Sequence, residues 1–307
     1  TPMRELADQE NEEAEDMWGS LGNMALRLEE IQHNLNGLTT DPDLSMIYWV
    51  EINPKYMEVS LNSAPLHIGN LMEKHLWYQK ESVILTSATL TAGGEFDYLR
   101  RRLNAVDADE LEVGSPFDYE TSAMVYVVTD IAEPSNYNAH QRAVEEAIAE
   151  VAKASGGRML ALFTSYAQLQ RTSNRIQPIL AQNDIQVYEQ GEGASASMLL
   201  ETFRETDRAV LLGTRAFWEG VDVPGDALSV LVIVKLPFDV PSDPIISARS
   251  ETFEDPFYQY ALPEAILRFR QGFGRLIRTQ TDRGIVCLLY TSPSPRDRTR
   301  SRMPSSA

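Results

Sequence analysis

A single cysteine, Cys287, stands in 307 residues, and that scarcity removes whole classes of chemistry. One thiol cannot close an intramolecular disulfide or build a multi-cysteine zinc or iron–sulfur site within this chain, so a reducing cytoplasm is the expected compartment. Cys287 itself reads as a small core residue. Histidine is equally sparse. His33, His67, His75 and His140 have no metal-ligand spacing, and none is paired with a nucleophile in the manner of a hydrolase triad. No metal site is expected in the chain. Apolar runs never approach the roughly 20 residues that a spanning helix needs, and the acidic opening "TPMRELADQENEEAEDM" lacks the basic region of a signal peptide. The expectation is a soluble, intracellular protein with no membrane partner. Basic residues number 27 against 45 acidic ones, a net charge of -18, which excludes a surface that is basic all over but leaves room for a local basic groove. No G-x-x-x-x-G-K-[ST] phosphate loop occurs. Asp109-Glu110 follows no apolar strand and is a poor magnesium-binding pair. The chain has no initiator methionine and opens inside a helical pattern, so its front is expected to be missing.

What is present is a globular composition, 43% apolar, enough for one large or two ordinary domains. Residues 1 to about 37 read as one or two amphipathic helices ending at the loop chemistry of "NLNGLTTDPD". "MIYWVEI" and "YMEVSL" are strand-like, Ile68, Leu71, Met72 and Leu76 have helical spacing, and "SVILTSATL" reads as a strand running into a hydroxylated turn. From about residue 123 the alternation is regular. Strands are expected at "AMVYVV", "RMLALF", "IQVYE", "AVLL", "LSVLVIV" and "GIVCLL". Helices are expected over 138–154, 165–182 and 195–204, with further helices between 245 and 277. Continuous β-branched and leucine runs separated by helices predict an α/β fold, a parallel sheet covered on both faces. Ligands bind such sheets outside the carboxyl ends of the strands, where "TSATL", "TSY" and "GTRAFWEGVDVPG" are expected. After Leu289 the Ser-, Pro- and Arg-rich string "YTSPSPRDRTRSRMPSSA" has no pattern that could build a core. It reads as a disordered tail, 290–307, of artefactual origin.

One stretch sits awkwardly in an acidic chain. "QGFGRLIR", 271–278, places Arg275 and Arg278 beside Gly272 and Gly274, although glycine costs a helix about 1 kcal/mol relative to alanine. Taken with "TSATL" (86–90) and "GTRAFWEGVD" (213–222), in that order, it resembles the carboxyl-terminal half of superfamily 2 DNA helicases, specifically the DinG branch of the XPD-like group. "YWVEINP", "VILTSATL", "LFTSY", "FWEGVDVPG", "KLPFDVPSDP" and "LRFRQGFGRLIR" carry the resemblance across residues 45–289.

The resemblance implies a RecA-like architecture. Residues 1–44 would be part of a helical arch, 45–100 the end of a first RecA-like motor domain, and 115–289 the second. The phosphate loop, the acidic box with its Mg2+, and any iron–sulfur cluster would lie ahead of Thr1. It further implies ATP and single-stranded or forked DNA as ligands of a monomeric, nucleoid-associated motor. Arg278 and Arg275, three apart on one helical face, would form an arginine fork on the ATP phosphates, with Gln271 at the nucleotide. Glu219, Gly220, Asp222 and Gly274 would border ATP, with Gly272 and Gly274 permitting close backbone approach. Thr86, Ser87, Thr89, Thr164, Ser165, Thr214 and Trp218 would face DNA. Two alternatives stay open at single residues: Ser165 as a helix N-cap, and Trp218 as core rather than base-stacking partner, a role for which Tyr166 and Phe238 also compete. Two stay open for the whole protein: a related 3′-5′ exonuclease, and a nucleic-acid-binding module without ATPase activity.

Overall fold

The computed structural model describes residues 2–191, 195–218, 228–274, 276–277 and 279–289, and within them not the side chains of residues 2–16 and 215. The chain begins with α1 (Pro2–Thr39), β1 (Met46–Asn53), β2 (Glu58–Pro65), α2 (Gly69–Met72) with a π-helical turn Glu73–Trp77, and α3 (Asp97–Leu103). There follow α4 (Tyr119–Ser122), β3 (Ala123–Val127), α5 (Tyr137–Ser155), β4 (Met159–Leu162), α6 (Tyr166–Ala181), β5 (Gln186–Glu189) and α7 (Ala196–Glu205). The remainder comprises β6 (Ala209–Gly213), α8 (Arg215–Trp218), β7 (Val230–Ile233), α9 (Pro244–Ser250), the π-helical turn Phe257–Ala261, α10 (Leu262–Phe273) and β8 (Gly284–Leu288). Two compact units result: Thr1–Val83 with Arg100–Val106 and Val240–Pro256, and Ile84–Leu99 with Asp107–Asp239 and Phe257–Ala307.

In the first unit, α1 is one helix where the sequence allowed two, and Trp18, Met24 and Leu28 along it are exposed. β1 and β2 form an antiparallel hairpin in full register from Met46↔Pro65 to Asn53↔Glu58. Arg249 on α9 donates to the Leu66 and Pro65 carbonyls at 3.2 and 3.1 Å. Trp77 Nε1 donates to the Leu103 carbonyl at 2.7 Å.

The second unit contains a six-stranded, all-parallel sheet in the order β3-β8-β7-β4-β6-β5. The apolar runs explain why β4, β6 and β7 lie at its centre: every residue of each is buried, as strands covered on both faces require. On one face α5 and α6 bring Val144, Ile148, Leu169 and Ile176 against Met159, Ala161 and Val232. On the other, Leu200, Phe203, Phe217, Trp218 and Leu276 pack on Leu160, Leu162 and Leu231. Cys287 is buried, as expected, and burial pushes its thiol pKa up to about 11. It should resist alkylation at pH 8 in the folded chain and react once urea exposes it. Because the folded pKa is raised, its contribution to stability is present below the unfolded thiol pKa and is lost as pH climbs towards 11.

Two expectations need correction. Coverage on both faces holds at the centre of the sheet but not at β3, an edge strand whose Met124, Val125, Tyr126 and Val127 are all exposed. The apolar run 82–85 is not a strand: Ile84 is 86% exposed, and no described residue pairs with it in a ladder. A strand needs a neighbour to satisfy its backbone groups, and among the described residues β1 and β2 pair only with each other.

Candidate functional site

β7, β4, β6 and β5 are consecutive neighbours, so the residues just past their carboxyl ends, Lys235, Thr164-Ser165, Thr214 and Gln190, gather along one edge of the sheet. Thr164 is exposed. Ser165 is the N-cap of α6: it has extended backbone angles, and its hydroxyl accepts from the Gln168 amide at 3.4 Å. The capping alternative is therefore realised, and Ser165→Ala should cost about 1 kcal/mol in a denaturation experiment. Thr214 is held by a residue that sequence reasoning passed over. Both its amide and its hydroxyl donate to Gln190 Oε1, each at 2.8 Å. Gln190 follows β5 in "VYEQG", and a polar side chain at the carboxyl end of a parallel strand is the signal that could have found it.

Behind this edge burial pushes the Lys235 ammonium below the usual lysine range. Burial also lowers the pKa of His140, Lys235 beside it adds to the fall, and the hydrogen bond between Nδ1 and the Ala132 carbonyl at 2.8 Å opposes it.

The "TSATL" turn lies beside α10. Thr86 and Ser87 are exposed, Ser87 Oγ and Thr89 Oγ1 share a hydrogen bond at 3.3 Å, and the Thr89 amide donates to Ser87 Oγ at 3.2 Å. Gln271 Nε2 donates to Thr89 Oγ1 at 3.4 Å. Arg270 donates through one nitrogen to both the carbonyl and the hydroxyl of Thr91, each at 2.8 Å. Tyr98 OH donates to Glu264 Oε1 at 2.5 Å. Ascending α10 through residues 264, 270 and 271 thus descends the segment through 98, 91 and 89, so the two run antiparallel. Arg268 braces the same helix with an ion pair to Asp239 at 2.5 Å, both side chains mostly buried.

Gly272 has a different use from the one expected. A Cβ on Gly272 would sit 2.8 Å from Cε3 and 2.9 Å from Cζ3 of Trp218, closer than packing tolerates. Gly272 is therefore required by the indole pressed against α10, not by an approaching nucleotide. Gly274 has φ -62°, and a Cβ there would meet only the Arg270 and Gln271 carbonyl oxygens at 3.3 and 3.7 Å. Trp218 itself is 3% exposed, with Nε1 donating to the Phe163 carbonyl at 3.4 Å. Its assignment to DNA stacking is corrected, because a ring buried on both sides has no face for a base. Phe238 is stacked on Phe257, centroids 5.8 Å apart. Tyr166, 40% exposed, is the open aromatic of the three named. Glu219, Gly220, Asp222, Arg275 and Arg278 lie outside the described residues, as does the 290–307 tail.

This arrangement, a parallel sheet with hydroxyls at its carboxyl edge and a helix leading into "GRLIR", can be set beside known proteins. The model for the helicase C-terminal domain matches residues 148–306, more than half of the chain. The chain belongs to the helicase C-terminal domain family. Among curated relatives, the Bacillus subtilis protein named 3'-5' exonuclease DinG is 36% identical over 78% of this chain and 27% of its own length. The Haemophilus influenzae ATP-dependent DNA helicase YoaA is 34% identical over 85% and 40%, and the Mycobacterium tuberculosis ATP-dependent helicase DinG 35% over 81% and 38%. The helicase domain here thus accompanies a chain that spans well under half the length of these relatives. A solved XPD helicase shares the fold at TM-score 0.56, with 19% identity, over 80% of this chain and 44% of its own. The resemblance to the DinG branch is borne out. Among the described residues no helix is long and apolar enough to cross a membrane, and no group of three or more His, Cys, Asp and Glu is placed to hold a metal ion.

Proposed function

We propose that this chain is the carboxyl-terminal motor half of a DinG-type, ATP-dependent DNA helicase. It would couple ATP hydrolysis to 5′-3′ movement along single-stranded DNA and to unwinding of forked duplexes, as a monomeric cytoplasmic motor serving DNA repair and replication. Residues 1–44 would then belong to an arch, 45–100 to the end of the first RecA-like domain and 115–289 to the second. The magnesium ion that accompanies ATP, and any iron–sulfur cluster, would be held by sequence ahead of residue 1.

The observation that carries this reading is the contact of Gln271, first residue of "QGFGRLIR", with Thr89 of "TSATL". It joins a stretch that the resemblance assigns to the ATP phosphates to one that it assigns to DNA, as a coupling of ATP state to DNA grip requires. In hydrolysis, negative charge spreads over the γ-phosphate oxygens, and an arginine brought to it is worth about 10³ to 10⁵ in rate. Arg278 and Arg275 have that role, with Gln271 hydrogen-bonding at the nucleotide and Glu219, Gly220, Asp222 and Gly274 beside it. Thr86, Ser87 and Thr89 would exchange hydroxyl partners as the nucleotide changes. Thr164, Thr214 and the capped Ser165 line the edge that meets DNA phosphates, and Tyr166 is the aromatic open to a base.

The test is ATP hydrolysis by the full-length protein with and without single-stranded DNA. Turnover that rises with DNA supports the reading, and turnover indifferent to DNA ends it. The name of the Bacillus subtilis relative favours a second reading, exonuclease activity in a domain ahead of the motor. Release of nucleotides from a 3′ end without ATP would select it. Absence of the phosphate-loop lysine upstream would instead leave a nucleic-acid-binding module without ATPase activity.

A further inference from the structure

Resting on the helicase reading above, we infer that Arg270 is the positioning residue that couples the 86–91 turn to α10, and so makes ATP turnover responsive to DNA. Gln271 and Arg270 of α10 both reach this turn, and their contacts differ in strength. The Gln271 contact with Thr89 is neutral and 3.4 Å long. The Arg270 guanidinium makes two contacts of 2.8 Å, to the carbonyl and hydroxyl of Thr91, a residue only 5% exposed. Charge-assisted hydrogen bonds are about twice as strong as neutral ones, so the turn is held through Arg270 while Gln271 is left loosely engaged. The division of labour follows from the order of residues. Thr91 is the fixed point, and Thr86, Ser87 and Thr89, on its amino-terminal side, are the exposed or half-buried hydroxyls that can change partners. Any displacement of those hydroxyls is transmitted through the Arg270–Thr91 pair to α10, whose last residue, Phe273, precedes Arg275 and Arg278 in the sequence.

Arg270 is an exposed residue on α10, so its truncation removes no core packing, and a loss of coupling can be separated from a loss of fold. In the full-length protein Arg270→Ala is expected to lower DNA stimulation of ATP turnover at least tenfold. Unstimulated turnover should stay within twofold, and KM for ATP and Kd for single-stranded DNA within threefold, of wild type. Arg270→Lys, which keeps a cationic donor, should recover half or more of the stimulation. The inference is overturned by an Arg270→Ala protein stimulated like wild type. It is equally overturned if KM for ATP rises in step with the loss, or if Arg270→Lys fails to recover stimulation, since either points to a merely structural role. A wild-type protein that DNA does not stimulate at all would instead defeat the helicase reading, which keeps the two failures distinct.

Discussion

Arg278→Ala in the full-length protein is expected to cut DNA-stimulated ATP turnover by about 10³-fold or more while leaving single-stranded DNA binding near wild type. The expectation rests on where charge develops. The phosphoryl group in flight carries its negative charge on peripheral oxygens, and a planar guanidinium offers two parallel donors to them at fixed geometry. Ground-state binding of ATP uses that charge less than the transition state does, so turnover should fall far more than KM rises. Arg278→Lys should recover little, because a point charge does not reproduce the fork. Turnover within tenfold of wild type would remove Arg278 from the phosphates, and Arg275 would be the next residue to replace.

The second large effect is on stability. Trp218→Ala is expected to cost about 3–5 kcal/mol, as buried tryptophan truncations do, because the indole fills the space between α10 and the Leu162 side of the sheet. Gly272→Ala should cost about 1–3 kcal/mol by overpacking against the same ring. The two changes are coupled. In the Trp218→Ala background the added methyl has nothing to strike, and replacing glycine inside a helix returns up to about 1 kcal/mol. Gly272→Ala should therefore destabilise wild type and stabilise the Trp218→Ala variant when both are followed by urea denaturation. An equal cost in both backgrounds would show that the glycine serves something other than the indole.

Residues 123–289 were legible because their signals are local. Six continuous apolar runs, each bounded by turn residues and separated by helical periodicity, leave little choice but strands of a parallel sheet. The buried β4, β6 and β7 agree with that reading residue by residue. Thr164, Ser165 and Thr214 were legible for a similar reason, since they follow β4 and β6 closely. Ile84 and Leu85 misled for the opposite reason. Their pattern is that of a buried strand, but a strand needs at least one neighbour to pair with, and a pattern within four residues carries no information about whether one is present.

The sequence by itself determined the α/β class, the order of the parallel strands along the chain and the helicase motifs. Periodicity and turn chemistry act within a few residues, and motifs are read as strings. Only the tertiary structure decided that Gly272 serves Trp218, that Trp218 is core, that Gln190 occupies the Thr214 hydroxyl and that Arg270 rather than Gln271 grips the turn at Thr91. Each of those is a contact between side chains far apart in sequence, fixed by how the sheet and α10 pack, and close packing has no counterpart in a linear pattern.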